Sequence, residues 1–199
     1  MNKKIGIYSS LANLLFVFIF AVSMIFNNSF ISYLSSIFIS LTFILISCAY
    51  CFYCNEDRKI AGYISIIFSG IYSVFIFIIY FAQLTTVRIA ELDYQAIQLL
   101  DYQKFGLFFN YNLFGYGMMA LSTFFIGLTI ENKNKINIWL KRLLLIHGVF
   151  FISGLIIPML GIFNADLPGA DLIGVIILEI WCIYFSFISL LSFLYFKNK

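Results

Sequence analysis

Ile60–Thr86 reads IAGYISIIFSGIYSVFIFIIYFAQLTT, with no charged residue along its length. That exceeds the roughly 20 apolar residues a helix needs to cross a bilayer core. A transmembrane strand takes only about 9–11 residues and alternates in polarity, and this run does neither. Backbone groups in lipid must be satisfied inside their own segment, so the run is a membrane helix. Ser65, Ser69 and Ser73 recur along it every four residues. Small residues at that spacing make a flat stripe that another helix backbone can approach closely.

Five further runs share this character: Ile5–Phe26, Phe30–Tyr53, Phe105–Ile130, Ile136–Phe163 and Leu172–Phe196. The expected fold class is therefore all-α, a polytopic bundle of six transmembrane helices forming one membrane domain over residues 1–199. Composition agrees: 63% of the chain is hydrophobic and 11% charged, against about 25% charged in soluble domains. Mean hydropathy is +1.01. Met1-Asn2-Lys3-Lys4 and Ala21-Val22-Ser23 imitate a signal peptide. The first run outlasts the roughly 7–15 residues of a signal-peptide core, so it is expected to remain as a span.

The net charge of +3 does not point to nucleic acid, because the cations sit in short loops between apolar runs. Ten of them fall on one side: Lys3, Lys4, Arg58, Lys59, Lys133, Lys135, Lys141, Arg142, Lys197 and Lys199. Arg88 and Lys104 fall on the other. The positive-inside rule then places both termini in the cytoplasm of a multi-pass plasma-membrane protein.

Working outward from the first run, the segment ELDYQAIQLLDYQK reads as an amphipathic connector on the outer surface before it reads as a lid. NADLPGAD is a turn, with Asp171 placed to cap the sixth span. Ser32, Ser36 and Ser40 repeat the serine stripe on the second span, and the two stripes are expected to pack inside the bundle. Gly115, Gly117 and Ala120 on the fourth span, and Ser186 with Ser189 on the sixth, offer similar contacts. Pro158 is expected to kink the fifth span and free the Gly154 carbonyl.

Glu179 is the sharpest candidate for chemistry. It lies eight positions into the sixth span, on the order of 12 Å deep at 1.5 Å per residue; a charge costs roughly 2.5–3.5 kcal/mol at a span centre and less nearer the boundary. Asn110 and Asn112 enter the fourth span from the same side. Gln83, Thr85 and Thr86 close the third, and Arg88 is a cationic partner able to snorkel. These residues define an expected outward-facing polar pocket among the third, fourth and sixth spans, weighed evenly against a structural hydrogen-bond cluster. His147 and Asn13 form a secondary pair of candidates nearer the cytoplasm, where a bonded structural histidine is the leading reading.

Cys48, Cys51 and Cys54 lack a fourth ligand at metal-site spacing, with Cys182 far off in the sixth span. No phosphate loop, zinc motif or nucleophile elbow is present, so no cofactor or metal is implied. Tyr8, Tyr53, Tyr63, Trp139 and Tyr195 lie near span ends and read as an interfacial belt.

The run Tyr80–Arg88, the stretch Lys104-Phe105-Gly106-Leu107-Phe108-Phe109-Asn110-Tyr111 and the triplet Gly115-Tyr116-Gly117 resemble small uncharacterised six-span integral membrane proteins of low-GC bacteria. The resemblance implies a bacterial plasma-membrane protein and carries over no activity. Three function classes follow. The first is a module that binds or transports a small solute or ion. The second is a non-catalytic component acting through a membrane-protein partner or the lipid bilayer. An intramembrane enzyme stands third, because no matched pair of reacting groups can be assembled.

Overall fold

The computed structural model describes residues 1–164 and 168–199, with the side chains of Ala170 and Asp171 outside the description. The cap expected of Asp171 therefore lies outside the described residues. Helices α1 (Asn2–Ile25), α2 (Ser29–Tyr53), α3 (Lys59–Ala82), α4 (Tyr94–Leu100), α5 (Leu107–Thr129), α6 (Lys135–His147), α7 (Phe150–Met159) and α8 (Ala170–Lys197) follow in order. Six helical stretches are long and apolar enough to span a bilayer, α6 and α7 together making the fifth. No strand occurs among the described residues. The all-α bundle is as the sequence predicts.

Local chemistry sets the helix ends. Asn28 caps α2 by accepting the Ile31 N–H at 3.1 Å, and Asn134 caps α6 by accepting that of Asn137 at 2.9 Å. Arg58 donates to the Ile130 carbonyl at 3.0 Å, placing a cation at the C-terminal end of α5. Phe105, at φ +54°, turns the chain ahead of α5. That is why the fourth span starts two residues later than the apolar run.

The spans close into a ring. α1 packs on α2, α2 on α3, α3 on α5, α5 on α6 and α7, α6 on α8, and α8 back on α1. The predicted serine stripes are buried, and they meet where Ser73 donates to the Ser40 carbonyl at 3.4 Å. Ser122 of α5 reaches the Ser65 carbonyl at 2.7 Å. A Cβ on Gly154 would stand 2.7 Å from the Leu113 carbonyl oxygen, so α7 lies directly on the α5 backbone beside Gly117.

One expectation needs correction. The fifth span breaks at Gly148–Val149, ten residues before Pro158, which occupies the last turn of α7. From Gly148 to Ile152 several N–H groups bond three residues back, including Gly148 to Leu145 at 3.2 Å and Val149 to Ile146 at 3.0 Å. This tightened turn ends α6. The break falls where the span passes closest to α5: a Cβ on Gly148 would stand 2.7 Å from that of Phe124, so only glycine fits this turn. Pro158 comes too late in its helix to govern the bend.

The end of the ring that carries both termini also holds the 54–58 and 130–134 connections. There Asn55 bonds Glu131, and the Lys199 ammonium lies 4.9 Å from the Tyr195 ring centre. In this half the interior is filled by Phe43, Ile46, Tyr50, Ile126, Leu144 and Phe185, leaving about 10 Å³ of free space. The distal half is looser. Among the described residues α7 packs on α5 but not closely on α8, and Leu172, Ile173, Ile176, Ile177 and Ile180 of α8 are exposed.

Candidate functional site

A cleft of about 210 Å³ opens at the distal end. Three elements build it: the first turns of α2, the end of α3, and the 101–103 segment. α3 finishes in a π-helical turn, Gln83–Val87, a wide turn frequent at functional sites. Gln83 is buried and holds the connector as a strand neighbour would. Its Nε2 donates to the Leu100 carbonyl at 2.7 Å, and its Oε1 accepts the Tyr102 N–H at 3.1 Å. Asp101 caps the short turn Tyr102–Lys104 by accepting the Gln103 N–H at 3.0 Å. Asp93 caps α4 in the same way, at 2.7 Å to Ala96. Arg88 is exposed. Its Nε donates to the Leu84 carbonyl at 3.0 Å and its guanidinium lies 5.3 Å from the Phe30 ring centre.

Beneath the cleft the ring axis is lined with tyrosines. Tyr33, on the cleft wall, stacks on Tyr80 at 5.3 Å, and Tyr102 sits 6.2 and 6.1 Å from the two. Burial pushes the Tyr102 phenol well above its usual pKa, and Tyr33 beside it adds to the rise, so Tyr102 stays neutral. Deeper, Tyr116 of α5 packs on Tyr72 of α3 at 5.5 Å and edge-on against Trp181 of α8 at 5.4 Å. Asn112 lies one turn before Tyr116 and is 1% exposed. Among the described residues, the hydroxyls of Tyr72 and Tyr116 and the Oδ1 of Asn112 make no well-formed hydrogen bond, although Tyr116 stands close to Tyr72 and Tyr80, and Asn112 close to Tyr102. Buried polar atoms are nearly always paired. Loosely bonded hydroxyl and amide groups on two facing helices mark a polar interior whose hydrogen bonds the fold leaves unclosed.

The expected pocket residues divide among several places. Gln83 and Arg88 line the cleft, and Asn112 belongs to the tyrosine-lined interior. Thr85 bonds its own helix, Oγ1 to the Phe81 carbonyl at 2.6 Å, and Thr86 is exposed. Asn110 is half-buried at the start of α5, where its backbone N–H bonds the Gly106 carbonyl at 3.1 Å. Glu179 shares no hydrogen bond or ion pair with any of them, and its Oε1 is buried without a partner among the described residues. Ser189 meets Asn13 in the antiparallel α1–α8 pair, so ten residues further along each helix Glu179 stands level with Ser23 of α1. Trp181, 200° around α8 from Glu179, faces α5 and α6 instead.

Asn13 and His147 occupy separate, fully bonded nodes. Asn13 is 0% exposed. Its Nδ2 donates to the Ile39 carbonyl at 3.0 Å and to Thr42 Oγ1 at 2.8 Å, while its Oδ1 accepts from Ser189 at 2.9 Å. One side chain thereby ties α1, α2 and α8. At His147 the tautomer follows from its neighbours. The Trp181 indole is a donor only, so His147 Nε2, at 3.0 Å, must accept. The neutral ring then carries its proton on Nδ1 and donates to Thr123 Oγ1 at 2.8 Å, which in turn donates to the Ala120 carbonyl at 2.8 Å. This histidine cannot take the Thr123 proton, so the pair is not a nucleophile and its base.

Cys51, Cys54 and Cys182 are buried, Cys48 is exposed, and all four are free. Among the described residues, no three metal-ligating side chains cluster.

No protein-family model, curated protein or solved structure matches this chain.

Sequence reading passed over the tyrosines by assigning aromatic residues to an interfacial belt. A signal was nevertheless present. Tyr72 stands 13 residues into α3 from Lys59, and Tyr116 nine residues into α5 from Leu107. Belt tyrosines belong at span ends, so mid-span tyrosines imply an interior that can use a hydroxyl.

Proposed function

We propose that the protein is a binding module for a small polar solute or ion in the plasma membrane of a bacterium, with its termini in the cytoplasm and its cleft facing outward. The observation that carries the reading is the stack of two features on one axis. A cleft bearing Arg88 and Asp101 lies above a buried cluster of hydroxyl and amide groups whose hydrogen bonds are not closed. The ten-to-two division of Lys and Arg between the ends supports the orientation. Transport would require the axis to open past Phe43, Ile76 and Phe185, all at most 2% exposed, so binding is the primary claim.

Single cysteines in a background lacking the native four test this. Ser29→Cys and Gln103→Cys report on the cleft, and Asn112→Cys on the interior. Ile67→Cys and Ile183→Cys are lipid-facing controls, 60% and 63% exposed. A membrane-impermeant thiol reagent applied to intact cells is expected to modify positions 29 and 103 and spare the controls. Modification that appears only after permeabilisation would reverse the orientation. Protection of 29 and 103 in both conditions would sink the open site.

A further inference from the structure

We propose that the distal cleft takes a zwitterion, an ammonium group close to an anionic carboxylate or phosphate; the inference rests on the binding site proposed above and names its ligand chemistry. Arg88 and Asp101 line the same cleft of about 210 Å³ yet do not pair. Among the described residues the ion pairs are Arg58–Asp57, Lys59–Glu56 and Lys133–Glu131, all at the terminal end. Both side chains stay within reach of solvent, where an exposed pair gains little and neither is forced to take the other. Here each is held by something else.

Arg88 is anchored through Nε to the Leu84 carbonyl and laid against Phe30. That leaves the two terminal nitrogens of the guanidinium, the part of its fork that grips an oxyanion. Ser29 and Phe30, beside it, contribute the first N–H groups of α2. The Asn28 cap satisfies only that of Ile31, so this wall favours an anion.

Asp101 spends Oδ1 on the Gln103 N–H and keeps Oδ2. Tyr33 stands close to Asp101, and the Ser29 and Gln103 side chains approach its hydroxyl. A carboxylate oxygen, a hydroxyl and an aromatic face together favour an ammonium. The two walls belong to one small space, so a single ligand carrying both charges a few bonds apart satisfies both. A ligand with one charge leaves the other wall unmatched, which is how such a site discriminates.

The volume falls below the 300–1,000 Å³ typical of drug-sized pockets, consistent with a compact head. Two sources present this chemistry at a membrane surface: a free amino acid, and a phospholipid with a phosphoethanolamine head.

The full-length protein in detergent should be titrated calorimetrically with L-leucine, with 3-methylbutylammonium and with 4-methylpentanoate. In parallel, native mass spectrometry should compare retention of phosphatidylethanolamine with phosphatidylglycerol. The expected result is at least a tenfold preference for a zwitterion over its singly charged counterparts in one arm. A preference for leucine assigns the free solute, and one for phosphatidylethanolamine assigns the lipid. Arg88→Gln and Asp101→Asn should each remove the preference, checked for folding by elution profile. The amide introduced by Asp101→Asn keeps an oxygen for the Gln103 N–H, and Arg88 is exposed, so both variants are expected to fold. Equal binding of charged and zwitterionic probes in both arms, or no binding in either, overturns the proposal. If cysteines at 29 and 103 are modified from outside while no zwitterion binds, this inference fails alone. If they are protected, the underlying site fails with it.

Discussion

The terminal and distal halves of the ring treat buried polar groups in opposite ways. From His147 towards the termini, the buried polar nodes among the described residues close: Asn13 bonds three partners, His147 two, and Tyr50 donates to Ser192 at 2.7 Å. On the distal side, among the described residues, Tyr72, Tyr116, Asn112 and Glu179 each have an atom without a well-formed hydrogen bond. Trp181 marks the boundary, its N–H given to His147 and its ring packed against Tyr116. Closed networks fix helix packing, whereas unclosed ones cost stability in exchange for an ability to bind. One half therefore reads as scaffold and the other as site.

The largest effect that sharpens this division should come from Gly154. α7 rests on α5 through the Gly154–Gly117 contact and, among the described residues, has no close packing on α8. Gly154→Leu drives a side chain into the Leu113 carbonyl and is expected to cost about 3 kcal/mol, the upper part of the overpacking range. The loss should be local. Hydrogen exchange should accelerate in α7 and the distal part of α5, while α1, α2 and the terminal half of α8 keep their protection. Uniform acceleration along all spans would mean that the two halves are not separable.

Next in size is Asn13→Leu. Buried hydrogen bonds in membrane proteins average about 0.6 kcal/mol, with a maximum near 1.7. Three are lost here and Ser189 is left without its acceptor, so a loss of about 2 kcal/mol is expected in a denaturation titration. A value near zero would remove the scaffold reading of the terminal half. The histidine node offers a spectroscopic counterpart. Nitrogen-15 shifts of His147 should show a protonated Nδ1 and a bare Nε2, and Trp181→Phe should blur that preference.

How much of this was legible in the chain depends on what lipid hides. Span number and serine stripes were readable, because a charge-free run and a four-residue repeat of small side chains have few other meanings in a bilayer. The Ser73–Ser40 meeting is the expected stripe contact. The interior was harder. In water an apolar stripe identifies the buried face of a helix, but in lipid both faces are apolar and the pattern carries no such label. Polar residues become the remaining guide, and they misdirect when each is read alone. Asn13 and Asn112 are equally buried, yet one is saturated and the other is not. That difference lies in Thr42, Ser189 and Ile39, contributed by other helices. Glu179 was conspicuous for its charge and stands level with Ser23 of α1, while Tyr72 and Tyr116, inconspicuous in composition, line the axis. Pro158 drew attention as a helix breaker, but the span breaks at Gly148, where Phe124 leaves no room for a side chain.

The smallest expected effect is the most diagnostic. Tyr72 is 0% exposed and its hydroxyl makes no well-formed hydrogen bond among the described residues, so Tyr72→Phe removes a buried polar atom at almost constant shape. Deleting a hydroxyl that is properly bonded costs about 1 kcal/mol, whereas deleting an unsatisfied one is neutral or stabilising. Stability should therefore stay within about 0.5 kcal/mol of the parent protein or rise. Tyr50→Phe in the terminal half provides the matched control, since it breaks the bond to Ser192. If the two substitutions cost the same, the Tyr72 hydroxyl is bonded after all, and the contrast between the halves loses its sharpest point. If Tyr72→Phe is silent for stability but alters solute binding, that hydroxyl belongs to the site.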